Sequence, residues 1–237
     1  DGVFLNDLIN WSKISNHLYI WDYAVNFRNY LLPFPNIRTI AKNIDLYKKY
    51  NVKGILMQGN FSYGGKGYLD ELKSYVTARL LSDTKESLDY IIKDFCDNYY
   101  GINSSKYIVD YINMWEDEIY DKTLWLYDDA DSGLFTDELI EKGTKLLQLA
   151  YVNANNDIYK ERIERLLLGM EYAYLVRLPL DFENRNNLID EFYEKVKKHH
   201  ITELMERTAL EFSINVMKNS RYAKDRPNWY SLYYIMK

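Results

Sequence analysis

The chain has 237 residues, 47% apolar and 27% charged, enough to bury a core and too apolar for a disordered polymer. Its net charge is −5 and no basic stripe runs through it, which argues against a nucleic-acid partner. It contains no run of about 18 apolar residues, so no membrane span is expected.

In chain order, Phe4, Leu8, Trp11 and Ile14 mark one face of a short first helix. Leu18 to Ala24 reads as a strand. Ile37, Ile40, Ala41, Ile44 and Tyr47 give a second helix, with Asn36 after Pro35 as its expected N-cap. Val52 to Met57 is a second short strand, and a third helix over about 68–81 carries Leu69, Leu72, Tyr75, Val76 and Leu80. Helix, strand, helix, strand, helix with short joints is the rhythm of a parallel α/β sheet or barrel. Both strands are apolar nearly throughout, as strands covered on both faces are.

From residue 84 onward the strand signal stops. Thr84 or Asp83 is the expected cap of a helix reaching Tyr100, where Gly101 stops it, and Ser104 the cap of the next, to about 122. Thr136 opens a helix ending near Asn153, and Asn156 one reaching Arg177 before Pro179. Two more are expected over 187–198 and 201–219. Cys96 sits in a helical pattern as a small buried hydrophobe, and a single cysteine excludes an intrachain disulfide. Trp115, Trp125 and the cluster Trp229, Tyr230, Tyr233 and Tyr234 read as helix-packing anchors. His199 and His200 adjoin on a charged helix end and point apart, so no metal pair is expected; no cofactor motif occurs either.

The pattern therefore divides at residue 83 into an α/β part, 1–83, and an all-α part, 84–237. A complete (β/α)₈ barrel needs about 250 residues and eight strands. Two strands and then helices make a partial barrel, the last βα units, followed by an α-helical domain. The rest of such a barrel lies upstream or on a second chain. The opening "DGVFLNDLINW", without a Met or a visible signal peptide, reads as a mature form or a fragment. A partial barrel would also expose sheet surface and favour oligomers.

In parallel α/β folds functional groups collect where strands end. The first strand ends at Trp21, Asp22 and Tyr23, with Asn26 and Phe27 beyond; the second at Gln58, Asn60, Phe61 and Tyr63, before the flexible lip "GGKG". Amides and carboxylates bond pairs of hydroxyls, and aromatic rings cover the apolar C–H face of a pyranose, so the set suits a carbohydrate. It also suits a strand end whose rings are core and whose Asp caps a loop.

The stretch "LYIWDYAVNFRNYLLPFPNIRTIAKNIDLYKKYNVKGILMQGN", followed by "ELKSYVTARLL" and "DFCDNYYG", resembles the domain-of-unknown-function 4838 family over about residues 4–101. Its members are bacterial glycoside-hydrolase-like proteins, distantly similar to α-glucuronidases and β-hexosaminidases with a (β/α)₈ barrel. The resemblance implies that Trp21, Asp22, Tyr23, Asn26, Gln58 and Asn60 lie at the barrel mouth and that Pro33 to Asn36 shape the loop into the next helix. It implies a glycoside hydrolase acting on a complex glycan, secreted, periplasmic or at the cell surface. Asp22 is the expected catalytic carboxylate, Asn26, Gln58 and Asn60 the groups bonding hydroxyls, and Trp21, Tyr23, Phe61 and Tyr63 the aromatic walls. Glycoside hydrolysis normally takes two carboxyl groups, and Asp22 is the only one at a strand end; Asp70 and Glu71 open a helix and suit its dipole. A carbohydrate-binding protein without catalysis and a helical scaffold are the alternatives.

Overall fold

The computed structural model describes residues 2–61, 66–129 and 133–219. The α/β part runs α1 (Gly2–Ile14), β1 (Leu18–Tyr23), α2 (Ile37–Lys49), β2 (Val52–Gln58) and α3 (Asp70–Ser82). The helical part follows as α4 (Leu88–Cys96), a π-helical turn over Asp97–Gly101, α5 (Ile102–Glu118), α6 (Asp137–Asn153), α7 (Asp157–Arg177), α8 (Arg185–Lys198) and α9 (Leu210–Asn219).

The two strands pair in parallel, from Leu18 opposite Val52 to Tyr23 opposite Gln58. One face carries Ile20, Asp22, Ile55 and Met57 and packs toward α2 and α3, whose Ile37, Ile40, Ile44, Leu72, Val76 and Leu80 are buried. The other face carries Tyr19, Trp21, Tyr23 and Leu56, all exposed. The expectation that both strand faces are covered differs from what is seen: among the described residues helices cover one face only. Similarly α1 buries Leu8 alone, and its Phe4, Trp11 and Ile14 are exposed, although the Phe4 ring meets the edge of Tyr47.

Caps explain the other departures. Asn36 precedes α2 but its side chain makes no capping hydrogen bond. The free N–H groups of Ile37 and Arg38 are instead accepted by the Glu116 carboxylate of α5, at 2.7 and 3.2 Å. Ser87, not Asp83 or Thr84, caps the helix leading into the π-helical turn, accepting from Tyr90 N–H. Ser104 lies inside α5, where its hydroxyl donates to Ala150 O of α6. Thr136 and Asn156 cap α6 and α7 as expected. Residues 201–209 form no helix, so the last helical run begins only at Leu210.

Side chains from both sides of residue 83 share one core, from Ala24 and Leu72 to Trp115, Tyr172 and Met217. Backbone contact is close where the parts meet. Gly169 of α7 lies under Leu31, so near that a Cβ there would come within 2.7 Å of Leu31 O. Trp115 and Cys96 are buried as expected, but Trp125 is 71% exposed in a loop and anchors no helix. The cluster at Trp229 to Tyr234 lies outside the described residues. Among the described residues no helix is long and apolar enough to cross a membrane.

Candidate functional site: the mouth at the strand ends

Beyond Tyr23 the chain turns through Ala24–Leu32, buried except Arg28, which is half-buried. Asn26 folds this turn: its Oδ1 accepts from Arg28 N–H and Asn29 N–H, and its Nδ2 donates to Asp128 O at 2.7 Å. Asn29 donates to Asp128 and Asp129 and accepts from the Tyr172 hydroxyl at 2.7 Å. Phe27 N–H donates to Leu126 O, and Phe27 O accepts from Glu206 N–H. Tyr30 N–H donates to Leu204 O. The end of β1 is thereby stitched to segments about 100 and 177 residues away, and both arrive at one place.

The side chains gathered there are largely aromatic. The edge of Tyr23 meets Phe27 at 5.7 Å, and Tyr127 packs on the other side of Phe27 at 6.0 Å. Phe61 follows β2; its N–H donates to the Tyr30 hydroxyl, and the Arg207 guanidinium lies over its ring at 5.4 Å. Trp21 is 63% exposed on the bare sheet face, and its indole N–H donates to Gln58 Oε1 at 2.7 Å. That bond fixes both side chains on one surface. Of the residues singled out in the sequence, Trp21, Tyr23, Gln58 and Phe61 thus stand at the ends of the two strands, Trp21 bonded to Gln58 and Tyr23 linked to Phe61 through Phe27 and Tyr30.

The others are placed differently. Asp22 points to the opposite face, where its Oδ2 accepts from the Tyr47 hydroxyl at 2.7 Å and from Asn43 Nδ2, while Oδ1 accepts from Tyr23 N–H. Asn26 is buried and its amide is occupied within the turn. Asn60 Nδ2 donates to Asp70 Oδ2, which also accepts from Gly67 N–H, so this pair ties down the loop after β2. Tyr63 lies outside the described residues.

Carboxylates reach the opening from an unexpected quarter. Glu203 and Glu206 stand in the irregular segment 201–209, and Glu206 is only 8% exposed. Glu206 makes no side-chain hydrogen bond among the described residues; Glu203 accepts from Arg207 N–H, and its Oε2 has no partner among them. Burial raises both carboxyls above the ordinary range; Glu206 pushes Glu203 further, and Arg207 partly restrains Glu206. Burial raises the Tyr30 phenol, and the charges of Glu206, Glu203 and Asp70 add to it. Asp70 itself is pushed up to about 6, chiefly by burial, against the pull of Lys73. Lys73, fully enclosed, donates to Ala24 O and Phe34 O and is lowered to about 8 by that burial.

Helical spacing of Ile201, Leu204 and Met205 concealed these glutamates. The segment bends because His200 and Arg207 both adopt left-handed backbone, with φ of 55° and 53°, which no glycine announces. Lys66 and Leu69 have positive φ as well, and Lys66 Nζ donates to His199 O, which joins the segment after β2 to the turn at His199 and His200.

Residues 2–113 match the family model described as Domain of unknown function (DUF4838). This stretch belongs to that family. No curated protein and no solved structure matches the chain. The DUF4838 stretch runs from α1 into α5 and supplies Trp21, Tyr23, Tyr30, Gln58 and Phe61. Tyr127, Glu203, Glu206 and Arg207 lie beyond the match, so the opening is built from the DUF4838 stretch and the helical part together.

Proposed function

We propose that this chain recognises a glycan at the opening where β1 and β2 end, as part of a carbohydrate-active protein of the (β/α)₈ barrel type. The observation that carries this reading is that exposed Trp21 and Tyr23 close β1 beside Gln58, that exposed Phe61 under Arg207 follows β2, and that Tyr127 and the segment bearing Glu203 and Glu206 are joined to these strand ends through Phe27 and Tyr30. Rings take the C–H faces of sugar rings, while amide, guanidinium and carboxylate bond the hydroxyls between them. Asp22 has no part in this contact, since it faces the helices.

Glu203 and Glu206 favour a second, hydrolytic reading of the same opening. Cleavage of a glycosidic bond needs one carboxyl protonated near neutral pH and another ionised; burial raises both carboxyls here, Glu206 raises Glu203 further and Arg207 restrains Glu206, which favours the proton on Glu203. Calorimetric titration of the full chain with a panel of soluble oligosaccharides tests recognition. Trp21→Ala should weaken any binding about tenfold, the worth of one aromatic contact, with the circular dichroism spectrum unchanged. Hydrolysis of aryl glycosides that survives recognition mutants but is lost in Glu206→Gln separates cleavage from binding. Binding to no member of the panel, or binding indifferent to Trp21, overturns the proposal.

A further inference from the structure

Trp125 lies in the loop fastened to the turn after β1 and is 71% exposed; Tyr127, two residues on, is 43% exposed. Their neighbours Leu124 and Leu126 pack against the core, so this segment turns its aliphatic side chains in and its aromatic ones out. The backbone beneath is held from both sides. Trp125 O accepts from Asp128 N–H at 3.1 Å, which closes a turn, and the Asp128 carboxylate accepts from Trp125 N–H at 2.7 Å. Leu126 O accepts from Phe27 N–H, and Asp128 O from the side-chain amides of Asn26 and Asn29. Arg28 pairs with Asp129 at 3.2 Å. An indole open to water on so constrained a loop is preorganised for contact, and loops fastened to a rigid scaffold are where binding side chains collect. The open sheet edge plays no part here. These bonds tie the turn after β1 to the helical part, beyond the DUF4838 stretch.

The rings follow one another outward from β1. Tyr23 meets Phe27 at 5.7 Å and Tyr127 packs on Phe27 at 6.0 Å, with Trp125 in the same turn as Tyr127. One sugar ring covers one aromatic face, so a single sugar stacked on Trp21 does not also cover Trp125. We propose that Trp125 is a further stacking residue and that the ligand is a chain of several sugars, running from Trp21 and Tyr23 past Tyr127. This rests on the glycan reading above and adds to it the length of the ligand and the residue that reads that length. The indole N–H of Trp125 supplies a donor to a hydroxyl of the outer sugars.

The test is calorimetric titration of the full chain with cello-, xylo- and chito-oligosaccharides of two and of six units. Trp125→Ala should weaken hexasaccharide binding about tenfold and leave disaccharide binding unchanged, whereas Trp21→Ala should weaken both. Trp125→Phe keeps an aromatic face and should retain most of the hexasaccharide affinity. The side chain is exposed, so both variants at this position should keep the parent circular dichroism spectrum. Hexasaccharide binding that falls in Trp21→Ala but not in Trp125→Ala overturns this inference and leaves the glycan reading standing. Equal loss for both lengths in Trp125→Ala overturns it too, because Trp125 then belongs to the contact with the first sugar. Binding of no oligosaccharide by the parent chain overturns the glycan reading, and this inference with it.

Discussion

Trp21 and Asp22 are neighbours in sequence and face opposite sides of the sheet, and that alternation separates the proposed glycan face from the face packed on the helices. Trp21 is open and held by Gln58, whereas Asp22 joins β1 to α2 through Tyr47 and Asn43. Asp22→Asn should therefore cost about 1–2 kcal/mol of stability in urea unfolding and leave oligosaccharide affinity unchanged. Loss of affinity without loss of stability would contradict this division. Asp70 gives a pH signature. Burial raises its carboxyl from 3.8 to about 6, so the folded chain holds that proton more tightly than the unfolded chain. Its contribution is fully present below about pH 4 and is lost as pH rises through about 6. Asp70→Asn should remove about 1–2 kcal/mol of that fall, less than the whole shift implies because the group is partly solvated. Urea titrations across that window check it; an unchanged slope would refute the assignment.

At the scale of elements, α2 depends on α5. The Glu116 carboxylate accepts from the first N–H groups of α2, and Arg38 also reaches Asp117 and Asn113. Glu116→Ala leaves those N–H groups buried without an acceptor and should cost about 2–3 kcal/mol, with Glu116→Gln milder because one acceptor remains. Chemical denaturation of the two variants measures the difference. The sequence announced α2 through Ile37, Ile40, Ile44 and Tyr47, but not its cap, because Asn36 satisfies the local rule while an acceptor 79 residues away does the capping. Thr136 and Asn156 were legible because they cap by their own side chains. Both strands and their parallel pairing were legible from apolar runs between helices. The bare face was not, since apolar runs are the same whether one face is covered or two. Glu203 and Glu206 were hidden for a further reason: apolar spacing at 201–205 imitates a helix that His200 and Arg207 interrupt.

In the whole molecule, the helical part is fastened to the turn after β1 by Asp128, Tyr172, Leu204 and Glu206. Gly169 is one such fastening, where α7 lies against Leu31 O with no space for a methyl group. Gly169→Ala should push α7 off the turn that carries Phe27 and Tyr30, costing about 1–3 kcal/mol, and should weaken oligosaccharide binding in proportion. A variant as stable and as active as the parent would show that the turn is positioned independently. The tryptophan indole N–H resonances, followed as soluble oligosaccharides are added to the full chain, test whether a glycan sits on the aromatics at the strand ends. Trp21 faces the opening, Trp11 is exposed on α1, and Trp115 is buried. The Trp21 resonance should move in a saturable manner while Trp11 and Trp115 stay fixed. A Trp21 resonance that does not move, or movement confined to Trp11, would contradict the account.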